Sequence, residues 1–133
     1  MGYESKLYIV RKHTLDYGHV YTSEIAAFNM GKMGYEEATC IDGEKRTFRS
    51  VFTRDIDFVL LVDGEETQVD CYGDLCQWAT PEEVYQWLRH SRVVKEYDRA
   101  ELLQEYLYKL VTMQEKYREL GAKDEICVVH YGY

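Results

Sequence analysis

Four histidines (His13, His19, His90, His130) and four cysteines (Cys40, Cys71, Cys76, Cys127) are the side chains of this 133-residue chain best suited to nucleophilic or metal chemistry. Their spacing assembles neither. No two histidines stand in an H-x-x-x-H arrangement, Cys71 and Cys76 are too far apart for a C-x-x-C knuckle, and no nearby His completes a zinc set. G-x-S-x-G, P-loop and Rossmann glycine patterns are also missing. His130, on a run between Val129 and Tyr131, reads as a packed side chain, and the cysteines read as reduced structural thiols. Acid–base chemistry would need His130, Tyr131 and Asp74 to converge in one cleft, as in a nucleotide-binding protein or a weak hydrolase. No cofactor or metal is expected, and no enzymatic activity.

Carboxylates are the chemistry that this sequence concentrates. Residues 55 to 88 hold nine acids (Asp55, Asp57, Asp63, Glu65, Glu66, Asp70, Asp74, Glu82, Glu83) and no Lys, Arg or His. Residues 1 to 54 contribute +1 and residues 89 to 133 contribute 0, so the formal charge of −8 arises in that one quarter of the chain. The acids do not follow the spacing of an EF-hand loop, and Asp63-Gly64-Glu65-Glu66 forms too tight a turn to wrap a cation. Such a stretch repels phosphates, which excludes direct nucleic-acid binding, while its field speeds approach to a basic protein. Lys45, Arg46, Arg49 and Arg54 interleave with Phe48 and Phe52, but the four-residue spacing of the phenylalanines points to core packing.

The elements that must position these acids can be read from periodicity. Leu7 to Lys12 is a strand; in Val20 to Met30, Ser23 followed by Glu24-Ile25-Ala26-Ala27-Phe28 is compatible with a helix start as well as with a return strand, and it is read as a strand paired back on the first. Gly31, Gly34 and Gly43 punctuate a region expected to be irregular. Ile56 to Val62, apolar in both directions from Phe58 onward, is expected as an interior strand covered on both faces. Asp63-Gly64 marks a hairpin turn, and Glu65 to Cys71 returns with Glu66, Gln68 and Asp70 on one side. Thr80-Pro81-Glu82-Glu83 combines an N-cap hydroxyl, an N1 proline and a capping-box glutamate, and starts a helix with Val84, Trp87 and Leu88 on one face. A second helix runs from about Asp98 to Leu120 and stops at Gly121. Its inner stripe is Leu103, Tyr106, Leu107, Leu110, Met113 and Tyr117; Glu101, Glu105, Thr112, Lys116 and Glu119 form the outer face. Ile126 to Tyr131, apolar on both sides, is a last strand inserted within the sheet. The expected fold is a single α+β domain over residues 1–133. A mostly antiparallel sheet of about five strands carries both helices on one face.

Met1 to Val10, the Asp63-Gly64 turn with Asp70-Cys71-Tyr72-Gly73-Asp74, and Val128-Val129-His130-Tyr131-Gly132-Tyr133 resemble, in this order, a group of small uncharacterised proteins of bacteriophages and prophages of Gram-positive bacteria. The segment from Gly34 to Arg54 has no counterpart in that group. The resemblance implies a phage context and transfers no catalytic residue.

The sequence therefore points to an acidic binding protein that engages, and inhibits or redirects, a host or anti-phage defence protein, with nucleic-acid mimicry as one means. The contact residues expected are Asp63, Glu65, Glu66, Asp70, Asp74, Glu82 and Glu83, with Tyr72 and Trp78 as aromatic anchors. The partner expected is a protein with a basic surface. A phage structural component, self-associating through the basic 45 to 54 segment against the acidic stretch, is the further alternative. No apolar run reaches the roughly 20 residues that cross a bilayer. A signal-peptide h-region is not evident at the start, so the expected setting is the cytoplasm, that of the host cell for a phage product.

Overall fold

The computed structural model describes residues 4–14, 20–32, 37–41, 44–90, 98–121 and 124–133. Strands β1 (Ser5–Thr14) and β2 (Val20–Gly31) pair antiparallel, from Thr14 opposite Val20 to Ser5 opposite Gly31. β3 (Glu37–Ile41) and β4 (Glu44–Thr47) form a small ladder of their own, followed by a single 3₁₀ turn at Arg49–Val51. β5 (Arg54–Asp55) precedes a second short hairpin, β6 (Leu60–Val62) with β7 (Glu65–Thr67). β8 (Gln77–Ala79), helix α1 (Pro81–His90), helix α2 (Asp98–Glu119) and β9 (Glu125–Gly132) complete the chain. The main sheet is antiparallel throughout, in the order β2-β1-β9-β8-β5. This is the α+β architecture expected, and the last strand lies inside the sheet.

Strand alternation divides the interior into two cores. Leu7, Ile9, Ile126 and Val128 face the helices and pack with Val84, Trp87 and Leu88 of α1 and with Ala100, Leu103, Leu107 and Leu110 of α2. Phe48 and Phe52 join this core, edge to face at 5.4 Å, and the Trp87 indole N–H donates to the Arg46 carbonyl at 3.1 Å. The basic segment thus supplies core aromatics. Tyr8, Val10, Cys127, Val129 and Tyr131 point the other way, where Ile56, Phe58, Leu60, Cys76 and Trp78 cover them.

Three expectations are corrected. Ile56–Val62 is not an interior strand: β9 occupies the place between β1 and β8, so the earlier apolar run folds over the second face, and only Leu60–Val62 pairs, with β7. The glycine-punctuated region carries the β3–β4 ladder. On α2 the buried stripe ends at Leu110 and Gln114, while Met113 and Tyr117 are more than a third exposed, the Tyr117 ring lying against the Arg11 guanidinium at 5.1 Å instead of in the core. Its stop is as expected: Gly121 takes φ +82°, and its N–H donates to the Arg118 carbonyl at 3.0 Å.

The start of α1 forms the full reciprocal cap. The Glu83 N–H donates to Thr80 Oγ1 at 3.2 Å, and the Thr80 N–H and hydroxyl both donate to Glu83 Oε1, at 3.1 and 2.9 Å. Arg54 donates to the same carboxylate oxygen. Burial of Glu83 works against its charged form, but the hydrogen bonds from Arg54 and Thr80 outweigh it and hold the carboxyl below its usual range. Thr80→Ala is expected to destabilise the protein by about 1 kcal/mol in urea titrations with an unchanged m-value. Glu83→Ala should cost more, because it also strands Arg54. Equal stability of both variants and the parent would contradict this account of the helix start.

Candidate binding surface

The hairpin that carries the central acids owes its turn to two residues. Asp63 at φ +51° and Gly64 at φ +82° are both left-handed, which matches the twist of the flanking strands. Leu60 pairs with Thr67, Leu61 with Glu66 and Val62 with Glu65. Leu60 is buried and Val62 packs against the second core, whereas Leu61 is 58% exposed beside Glu66. Alternation therefore puts an aliphatic side chain and a carboxylate together on the outer side. The Gln68 side-chain amide donates to the Phe58 carbonyl at 3.2 Å and ties the return strand to the covering segment.

Asp70 organises the loop that follows. Its Oδ1 accepts the N–H groups of Tyr72 and Asp74, at 2.8 and 3.1 Å, while Gly73 turns the chain at φ +80°. The Cys71 N–H donates to the Gly132 carbonyl at 3.1 Å, so the loop is fastened to the end of β9. Asp63 lies close enough to Lys6 to stabilise its charge: the Lys6 ammonium sits 5.0 Å from the Tyr8 ring centre and its pKa is raised, chiefly by a hydrogen bond to Tyr8 and, against partial burial, by the charges of Tyr8 and Asp63. Hairpin tip and loop both meet the Ser5/Gly132 end of the β1–β9 pair.

The nine acids divide. Asp57 pairs with Lys12 at 3.0 Å and Glu83 with Arg54, and Asp55 accepts from the Gln77 amide at 3.2 Å. Asp70 is buried and engaged with its own loop. Glu82 and Glu83 sit on α1, in the helical layer, on the opposite face of the sheet from the hairpin. Trp78 belongs to the second core, with the Arg54 guanidinium 5.1 Å above its ring, and is no surface anchor. Asp63, Glu65 and Glu66 remain on the hairpin, and Asp74 and the half-exposed Tyr72 on the loop that follows it. Among the described residues no Lys or Arg forms an ion pair with Glu65, Glu66 or Asp74.

Beside the hairpin runs a groove of about 360 Å³ that the sequence did not reveal. Its floor is Tyr8 and Val10 of β1 with Val20, Thr22 and Glu24 of β2, and Phe58 to Leu61 with Glu66 form the wall. The Thr22 hydroxyl donates to the Val59 carbonyl at 3.4 Å across it. Val20, Val59 and Leu61 are exposed there. Because every residue from Phe58 to Val62 is apolar, the one-sided burial of this run could not be read from its pattern.

The convergence that acid–base chemistry needs does not occur. His130 faces the helical side against Phe52 at 5.3 Å, Tyr131 faces the second core against Tyr8 at 5.8 Å, and Asp74 is exposed. Ser5 Oγ and His130 Nε2 share a hydrogen bond of 2.8 Å, but both residues are buried. The cavity beside His130, about 20 Å³, has room for roughly one water. Burial pushes the thiols of Cys76 and Cys127 up to about 12, which makes them unreactive. Among the described residues no group of three or more His, Cys, Asp or Glu could hold a metal ion, and no helix is long and apolar enough to cross a membrane.

Compared with protein-family models, with curated proteins and with solved structures, the chain matches none of them.

His130 makes stability depend on pH. Burial first and the charge of Arg49 second, partly offset by Asp70, lower its pKa to about 4 from the ordinary 6.5. Between those values the unfolded chain binds a proton that the folded one refuses, so this contribution is complete above about pH 6.5 and is lost as pH falls toward 4. The loss should be on the order of 3 kcal/mol between pH 7.5 and 4. His130→Asn should flatten the slope of unfolding free energy against pH in that interval, whatever its own stability; an unchanged slope would sink the assignment.

Proposed function

We propose that this chain is a non-enzymatic binding protein whose hairpin face engages a basic surface on a protein partner. The observation that carries this reading is the mixture on the hairpin: Leu61, 58% exposed, stands opposite Glu66 and one pair from Glu65, and neither acid forms an ion pair among the described residues, while the loop that follows exposes Tyr72 and Asp74. Exposed apolar side chains provide area to desolvate, and the carboxylates around them select a cationic counterpart and raise its rate of approach. Charge that served solubility alone would need no aliphatic or aromatic groups beside it. In the phage context that the sequence resemblance implies, the partner is a host or defence protein that is inhibited or redirected when its basic groove is occupied.

The division of the acids between two faces narrows this reading. The contact set is Asp63, Glu65 and Glu66 on the hairpin with Tyr72 and Asp74 on the loop after it, and Glu82 and Glu83, on the helical face, are left out of it. Assembly through the basic 45 to 54 segment has less support, because Arg54 is engaged by Glu83 and Arg46 by Glu44 within the chain.

The test is capture from a lysate of a Gram-positive bacterium at about 0.05 M and about 0.5 M salt. The parent protein should retain a basic protein at low salt and release most of it at high salt. Glu65→Gln/Glu66→Gln/Asp74→Asn should lower the captured amount at least about tenfold, whereas Glu101→Gln/Glu105→Gln/Glu119→Gln on the outer side of α2 should leave it unchanged. Equal capture by both triple variants, or retention indifferent to salt, defeats the proposal.

A further inference from the structure

The two edges of the main sheet are unlike. β5 ends one side with two residues, both charged, Arg54 and Asp55. The other edge is β2, twelve residues from Val20 to Gly31, and among the described residues no strand pairs with its outer side. Natural edge strands are guarded by prolines, lysines, bulges or shortness. β2 contains no proline and one charged residue, Glu24. Its pairing with β1 passes from Ala26 to Glu24, leaving Ile25 without a Cα partner, so the irregularity divides the strand and leaves Val20–Glu24 as a regular run. Alternate residues of an antiparallel edge direct their N–H and C=O groups away from the neighbour, and these are the groups that an added strand would bond.

That run is also the rim of the groove. Val20, Thr22 and Glu24, the alternate residues of one face, line it together with Val59, Leu61 and Glu66. The lining holds two carboxylates and no Lys, Arg or His. A strand laid against β2 would therefore point every second side chain into a trough that is apolar at Val20, Val59 and Leu61 and negative at Glu24 and Glu66.

We infer that β2 accepts an added strand: an extended, cationic segment of the partner pairs with Val20–Glu24 and places alternating aliphatic and basic side chains in the groove beside the hairpin. This rests on the proposed function and specifies how the basic partner is held. Backbone pairing supplies affinity that does not depend on sequence, and Glu24 with Glu66 supplies the preference for Lys or Arg.

The probe is a synthetic peptide of alternating Lys and Val, compared with the same peptide N-methylated at alternate residues and with an alternating Glu and Val peptide. Fluorescence anisotropy should show binding of the first, loss of at least about tenfold in affinity on N-methylation, and none of the acidic peptide. Hydrogen exchange should slow within residues 20–24, and Glu24→Lys/Glu66→Lys should weaken the cationic peptide by at least about tenfold. If the N-methylated peptide binds as well as the parent peptide, strand addition is overturned while the acidic binding surface stands. If instead the protein self-associates through residues 20–31 and excludes the peptide, a second copy is the occupant and the inference fails. Failure of every cationic peptide to bind overturns strand addition, and salt-sensitive capture in the lysate experiment then decides the broader reading independently.

Discussion

The pairing of β9 between β1 and β8 is the constraint on which the rest depends. Its register, Ser5 opposite Gly132 through Lys12 opposite Glu125, joins the two ends of the chain, and its side chains supply both cores at once. Ile126 and Val128 complete the layer under the helices, and Cys127, Val129 and Tyr131 complete the layer under residues 56–60. Without β9 the hairpin of β1 and β2 would have no link to β8 and β5, and each face would lose its centre. The partners of this ladder lie 113 to 127 positions apart, so the entropy of closing such a loop must be paid before its contacts reward it.

This dependence explains which elements were legible in the sequence. The capping box at Thr80 to Glu83, the Asp63-Gly64 turn and the glycine after α2 are local devices, settled by side-chain-to-backbone bonds within a few residues, and each was found where its residues placed it. The insertion of Ile126–Tyr131 was legible as well, since a strand covered on two sides is apolar on both. Ile56–Val62 carries the same signature and has a different fate. Two segments competed by pattern for one central position, and the competition is settled by tertiary pairing, which periodicity does not contain. The end of the α2 stripe is similar: Met113 and Tyr117 keep helical spacing, but what lies beneath Tyr117 is the charged Arg11 of β1 and not an apolar core residue.

The candidate site was legible in composition and not in arrangement. A run of nine acids suggested one surface, yet strand reversal and the crossing from the hairpin to α1 distribute neighbours in sequence over two faces. Lys12 and Arg54, both outside the acidic stretch, reach into it and engage Asp57 and Glu83. Exposed pairs of this kind contribute at most about 1 kcal/mol each, so their effect on stability is small. Their effect on the field is larger, because they leave the uncompensated charge on the hairpin. Asp70 illustrates a second way in which a carboxylate is withdrawn from the surface: two backbone N–H groups hold it, and its charge shapes the loop that presents Tyr72.

The groove follows from the direction in which the covering segment runs. Asp57 meets Lys12 near one end of β1 and Asp63 approaches Lys6 near the other, so residues 57–63 lie lengthwise along β1, opposite in direction to it. Strands in a sheet stand about 4.8 Å apart, and a single segment laid along one of them shelters little more than its immediate neighbours. β2, the outermost strand, is bonded to this segment at Thr22, whose hydroxyl donates to the Val59 carbonyl, and among the described residues no strand pairs with its outer edge. The shape that remains is a trough beside β2, with Glu24 and Glu66 in its lining and, among the described residues, no strand paired with the outer side of β2.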